Sequence, residues 1–348
     1  MRRKFDARPW LILILVVGFI LLGALLGDML IPKGEATANE QPVIPIALAG
    51  PVADGGAEVS GLAWYGDTLI ILPQYPNFTE NYHGDGFLYA LSKTEILAYL
   101  DSPNPAPLTP RPIPLNDAPL RGMIEHYQGF EAIAFSGDRV FLSIEAGDGN
   151  DMRGYLVAGR IQPDLGAVTL DVDRLVENPL QMERGNKSDE ALLVVGDRLL
   201  TFYEVNGAGL NPHPVARVFD LDLYLVGTIS FPNVEYRVTD AAPGADAADF
   251  WVVNYFFPGD VDLKPALDLL FQKYGLGPTH SRNETVERLV EMRYSPGGIT
   301  LADTPPVLLK LLPVVSRNWE GLALLDERGF LLMTDKFPET IFGFVPMP

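Results

Sequence analysis

The chain has 348 residues, of which 47% are hydrophobic, with 30 prolines, 33 glycines, no cysteine and a formal net charge of −19. The apolar content suffices for a large core, and the proline and glycine content suits many short strands and turns better than helices. Lack of cysteine excludes disulfides and thiol chemistry, and so acidic a chain makes nucleic acid and anionic lipid headgroups poor partners.

Residues 1–31 stand apart. Arg2, Arg3, Lys4 and Arg8 precede an uncharged apolar run from Pro9 to Gly27, which Asp28 ends. The run has the length of a bilayer span, and its positive flank orients the N-terminus toward the cytoplasm. An uncleaved transmembrane anchor and a cleaved signal helix both fit, since Ala36-Thr37-Ala38 resembles a peptidase site. Either way the remainder is expected outside the cytoplasmic membrane, single-pass if anchored and secreted if cleaved. Residues 32–41 (PKGEATANEQ) read as a polar linker, and residues 42–348 as one domain. Without residues 1–31 the chain keeps 22 basic and 43 acidic residues, a net charge of −21.

From residue 60 onward one unit recurs five times: an apolar strand opening on a polar residue, a small turn, and a second apolar strand ending on another. The pairs are Ser60 and Gln74, Glu131 and Glu145, Glu190 and Glu204, Asp240 and Asn254, Glu320 and Asp335. Each unit is followed by further strand-like sequence, at residues 87–96 and 111–116, 154–161 and 167–175, 214–223 and 225–231, and 284–294 and 306–312. Four strands per unit repeated about an axis make the blade of a β-propeller. The fifth unit keeps only residues 340–346 after its hairpin, and residues 42–50 (PVIPIALAG) supply the missing outer strand. The expected fold is all-β: a five-bladed propeller whose N-terminal strand closes the last blade, preceded by one transmembrane or signal helix. The irregular fourth unit carries a long loop, in which residues 262–275 show helical spacing of leucine.

A hairpin that leaves one face and returns to it brings its first and last residues together, so the polar pairs gather at one mouth, here termed the top. Like charges raise each other's pKa, so crowded carboxylates require a cation, paired Lys or Arg, or shared protons. Oxygen-only donors suit Ca²⁺, with Glu131, Glu190, Asp240 and Glu320 as candidate ligands. Glu145, Glu204 and Asp335 are the candidate catalytic bases or further ligands. Lys187, Arg317 and Lys336 lie beside these positions and are the candidate contacts for an anionic substrate. The alternative for them is direct neutralisation of the carboxylates. Trp319, Phe130, Tyr75 and Tyr203 either wall the pocket or pack between blades. His83, His126, His213 and His280 all fall in loops, and Asp148, Asn150 and Asp151 are spaced as in a calcium loop. No G-x-S-x-G, HExxH or phosphate-binding glycine loop occurs, so hydrolysis would rest on metal-activated water.

The segments at residues 57–64 (AEVSGLAW), 129–145, 188–206 and 317–335 (RNWEGLALLDERGFLLMTD) resemble the phytase-like, "esterase-like activity of phytase", propellers and are similar to the SdiA-regulated propellers. The resemblance extends from about residue 45 to the C-terminus and implies a propeller, Ca²⁺ and phosphoester or ester hydrolysis. Glu131, Glu190, Glu320 and Asp335 match its pattern, while phytase propellers have six blades against five here. The sequence thus points to a Ca²⁺-bearing phosphoesterase or esterase acting on a small anionic molecule. A non-catalytic module recognising a glycan, peptide or envelope component is the second reading. A glycosidase with a carboxylate acid and base at the mouth is the third.

Overall fold

The computed structural model describes residues 37–348 except 79–83, 150, 183 and 314. The expected N-terminal anchor or signal helix, His83 and Asn150 therefore lie outside the described residues. Among the described residues no helix is long and apolar enough to cross a membrane.

Five blades close on themselves. The first runs Val59–Tyr65, Thr68–Pro73, Gly86–Ser92 and Arg111–Leu115; the second Tyr127–Ser136, Arg139–Asp148, Asp151–Ile161 and Val168–Leu170. The third comprises Asp189–Val195, Arg198–Tyr203, Val215–Asp220 and Leu225–Ser230. Arg237–Pro243, Asp249–Phe256, Val286–Ser295 and Val307–Leu309 form the fourth, and Trp319–Leu325, Gly329–Thr334 and Phe342–Pro346 begin the fifth. Ile44–Pro45 pairs antiparallel with Phe342–Pro346, so the N-terminal strand completes the last blade and covers its edge. Each inner strand packs against the next around the ring, and the fifth against the first.

Alternation explains the closure. In the second strand of blade 1, Ile70 and Leu72 point toward blade 2, while Leu69 and Ile71 point toward blade 5. Because successive side chains face opposite sides of a sheet, an unbroken apolar strand serves two interfaces at once. Every junction between neighbouring blades has its own buried cluster of this kind. At burial worth about 25 cal/mol per Å² of apolar surface, these five cores hold the ring.

Three details depart from the sequence reading. Residues 87–96 are not one strand: Gly86–Ser92 gives way to the helix Lys93–Asp101, started by a capping box in which Ser92 and Glu95 bond each other's backbone N–H. In the fourth-blade insertion the α-helix is confined to Leu269–Tyr274, capped by Asp268 and ended by Gly275 at φ 84°, with short 3-10 turns at Val261–Leu263 and His280–Arg282. Finally, the propeller's contacts begin before residue 42. Glu40–Gln41 pairs with Val307–Leu309, and Thr37 and Ala38 donate backbone N–H bonds to Leu276 O.

Candidate functional site

Each inner strand carries a β-bulge near its top end, at Ser60, Glu131, Glu190, Thr239 and Glu320. A bulge places two residues opposite one and re-aims the extra side chain, which turns Glu131, Glu190 and Glu320 toward the mouth, while Ser60 and Thr239 stay buried, the Thr239 hydroxyl donating to Trp319 O at 2.5 Å. The following position is small, with Gly61, Ala132, Ala191 and Gly321 in four blades. A Cβ on Gly321 would approach Leu62 of blade 1 to 2.7 Å, so this level of the channel is narrow.

Blade 4 differs, and the expected pairing there is corrected by one residue. Thr239, not Asp240, is the bulged residue, and Tyr255, not Asn254, faces the mouth. Asp240 occupies the small position and sends its carboxyl across the channel axis. Its Oδ2 accepts from Leu322 N at 2.7 Å and Leu62 N at 3.5 Å, and Oδ1 accepts from Ala241 N at 2.8 Å. Burial pushes its pKa well up, against those backbone bonds. Asp240 thus plugs the channel below the mouth and is not a metal ligand there. Asn254 is a buried bracket, receiving Arg288 Nε at 2.7 Å and donating to Arg237 O at 2.9 Å.

The top cavity has a volume of about 710 Å³. Glu131, Glu145, Glu190, Glu320 and Asp335 line it, as the hairpin geometry requires, with Gln74 and Asn318 among them. Gln74 Nε2 donates to Glu131 at 3.1 Å, and Asn318 Nδ2 to Glu320 at 2.5 Å. The counter-charge is Arg237, which sequence reasoning missed. Its Nε donates to Glu204 at 2.6 Å, its Nη2 to both oxygens of Glu190 at 2.9 and 3.1 Å, and Glu320 lies 3.8 Å away. The missed signal was the register: aligning Thr239 with Ser60 sets Arg237 in the column of Glu58 and Asn318, which also line the mouth.

The expected substrate cations are otherwise engaged. Lys187 Nζ lies 3.3 Å from the fully buried Glu204 and donates to Asn186 O at 2.8 Å. Arg317 is below the mouth, its Nε 2.9 Å and Nη2 2.7 Å from Glu287, stacked over Trp319 with 5.0 Å to the ring centroid. Lys336 lines the rim but bonds Glu58. Trp319, Phe130 and Tyr203 are core residues, and Arg121 lies over the buried ring of Tyr75. The rings at the cavity are Tyr255, Phe257 and Phe337.

Of the histidines, His126 and His213 are exposed and His280 is buried against Glu40. Asp148 and Asp151 face each other across a hairpin and are exposed.

The electrostatics follow from this crowding. Glu131, Glu190 and Glu320 all titrate well above the usual carboxyl range, driven first by burial and then, for Glu131 and Glu320, by neighbouring carboxylates. Glu145 is pushed up to about 7 by burial and by Glu204. Burial acts upward on Glu204 too, but Lys187, Arg237 and a hydrogen bond with Glu190 outweigh it and hold the group below its usual value. Asp335 is raised by burial. Charge is balanced by one arginine, one lysine and retained protons.

The fit of this donor set to Ca²⁺ is poor. Among the described residues no three acidic or histidine side chains stand close enough to hold a metal ion. The guanidinium of Arg237 takes the central position among Glu190, Glu204 and Glu320 that a cation would have to fill.

Fold and site together define a five-bladed β-propeller with a carboxyl-lined mouth. Among solved structures the chain is similar to the GH43 protein BlXynB from Bacillus licheniformis, at 9% identity and a TM-score of 0.45 over 82% of this chain and 50% of that one. It is similar to the exo-beta-1,3-galactanase Pc1,3Gal43A from Phanerochaete chrysosporium, at 8% identity and a TM-score of 0.47 over 88% and 64%. A third is the alpha-L-arabinofuranosidase CtGH43 from Clostridium thermocellum, at 11% identity and a TM-score of 0.45 over 80% and 81%. The chain thus spans half the length of the first and under two thirds of the second. At such identities the likeness is one of fold alone. No family model matches the chain, and no curated protein does. The phytase-like and SdiA-regulated resemblance therefore stays with the short motifs that carry it.

Proposed function

We propose that the mouth is an acid–base site for a hydroxyl-rich, uncharged small molecule, hydrolysing a glycosidic or ester bond. The observation that carries this reading is a cavity lined by Glu145, which titrates at about 7, together with Glu131 and Glu320, which burial and neighbouring carboxylates raise well above the usual carboxyl range. A group with a pKa near the working pH exchanges protons most efficiently. Glu131 donates a proton to the leaving oxygen, Glu145 takes one from the attacking water, and the scissile bond breaks as the new C–O bond forms. Carboxyls and the Gln74 and Asn318 amides offer donors and acceptors to hydroxyls, and Tyr255 forms part of the cavity wall. An anionic phosphoester is disfavoured, because Lys187, Arg317 and Lys336 are each held by a carboxylate of the protein itself.

The test is turnover of 4-nitrophenyl glycosides and acyl esters between pH 4 and 9, with and without chelator. Chelator-independent turnover is expected, reduced at least about 100-fold in Glu145→Gln with a melting temperature that is not lowered. Absence of turnover across the panel overturns the catalytic reading. A binding propeller is the second reading, favoured by the internal bonds of Glu131 and Glu320 to Gln74 and Asn318. It predicts sugar binding without turnover.

A further inference from the structure

The floor and the rim of the mouth have opposite chemistry. Below are the buried carboxyls of Glu131, Glu145 and Glu190 and the partly buried carboxyl of Glu320, with Arg237 among them. Above, the same cavity is edged by Phe257, 48% exposed, Phe337, 59% exposed, and Val315, 36% exposed. Exposed phenylalanines edging a cavity are the unusual observation, since such surface favours a covering partner. Phe257 lies against Gly259, where a Cβ would run into the ring. Phe337 is tied to the floor through its backbone N–H, which donates to Asp335 Oδ1 at 2.6 Å. The fourth-blade insertion that follows Phe257 in the chain also exposes Val261, Leu267 and Leu269.

We infer that the mouth takes an amphiphile, its hydroxylated head among the carboxyls and its alkyl or isoprenoid chain across Phe257, Phe337 and Val315. The inference rests on the reading of the floor as a hydroxyl-binding site. A short soluble sugar would satisfy the floor and leave the rim bare. A free hydrocarbon would cover the rim and make no contact with the polar floor. An anionic head would meet carboxylates, and a single molecule with both parts satisfies both tiers.

The test uses the full chain in lipid nanodiscs, titrated calorimetrically with methyl, butyl and hexyl β-D-glucosides, galactosides and xylosides, and with hexanol, against empty nanodiscs. Each methylene laid on the rim should tighten binding by about fourfold at most. The expected result is at least about tenfold between a methyl glycoside and its hexyl partner, with hexanol far weaker. That ratio should collapse in the double variant Phe257→Ser and Phe337→Ser, whose exposed sites leave folding intact by circular dichroism. Equal affinity for methyl and hexyl glycosides, or a ratio indifferent to the two phenylalanines, overturns the amphiphile while leaving the hydroxyl site standing. Hexanol binding as tightly as the hexyl glycosides also overturns it. Binding of none of these probes overturns both readings.

Discussion

Half-buried Glu40 and the more deeply placed mouth carboxyls stand at opposite ends of the titration range. Glu40 Oε1 accepts from Thr279 N at 2.8 Å and His280 N at 3.1 Å, with His280 Nδ1 2.9 Å away, and Oε2 accepts from the Thr279 hydroxyl at 2.7 Å. Burial alone would raise this group, but those bonds outweigh it and bring the pKa down to about 2. In the mouth several carboxyls share one arginine and one lysine, so burial wins and protons stay on. The contrast teaches that depth of burial and the number of donors per carboxyl together set the direction. Glu40 is a latch that fastens the N-terminal strand to the fourth-blade insertion. The mouth is a strained reserve of acid groups on the ring axis.

Removing the shared cation should break the contrast most severely. Arg237→Met leaves Glu204 and Glu190 without their guanidinium, and a loss of about 3–5 kcal/mol is expected in urea unfolding at pH 8. The loss should be smaller at pH 5, where the carboxyls can protonate. An equal loss at both pH values would show that charge is not what Arg237 balances.

The latch comes next. Glu40→Gln should cost about 1.5–3 kcal/mol near neutral pH, because charge-assisted bonds are replaced by weaker ones. A group whose pKa is lowered on folding stabilises above its unfolded pKa and loses that contribution as pH falls through the folded one. Here the window runs from 4.5 down to about 2. Melting curves of the wild type should fall across that window more steeply than those of the variant. Parallel curves would refute the latch.

Smallest is the effect of Glu131→Gln, which should change stability by under about 1 kcal/mol at pH 5, since an amide resembles a protonated carboxyl in shape. A group raised on folding stabilises below its unfolded pKa and loses that as pH climbs, so the wild type should decline above pH 4.5. The variant should decline less, and by pH 8 it should be the more stable of the two. Activity should nevertheless be lost, because the proton donor is gone. A variant that retains turnover would separate Glu131 from the chemistry.

Much of this architecture was readable before any coordinates. The polar residue opening four of the five inner strands, at Ser60, Glu131, Glu190 and Glu320, is both the repeat signal and the bulge that aims it. The closing strand was readable because Ile44 and Pro45 lie in the one apolar segment left without a hairpin. The helix after Ser92 was also written locally, as Ser-Lys-Thr-Glu, and was obscured by the apolar run before it. Blade 4 resisted for a different reason. Its polar residue is a threonine followed by an aspartate, so matching by charge selected Asp240 and passed over both Thr239 and Arg237.

What sequence alone determined is the set of blades and the order in which they close, because period-two alternation and turn residues are local and each strand carries both. Tertiary structure decided which cation meets which carboxylate. Arg237 reaches Glu190 and Glu204 from the neighbouring blade, whereas Arg317 is drawn down to Glu287 and Lys336 out to Glu58. Long charged side chains choose partners by distance and burial across blade junctions, and no spacing along one strand encodes that choice.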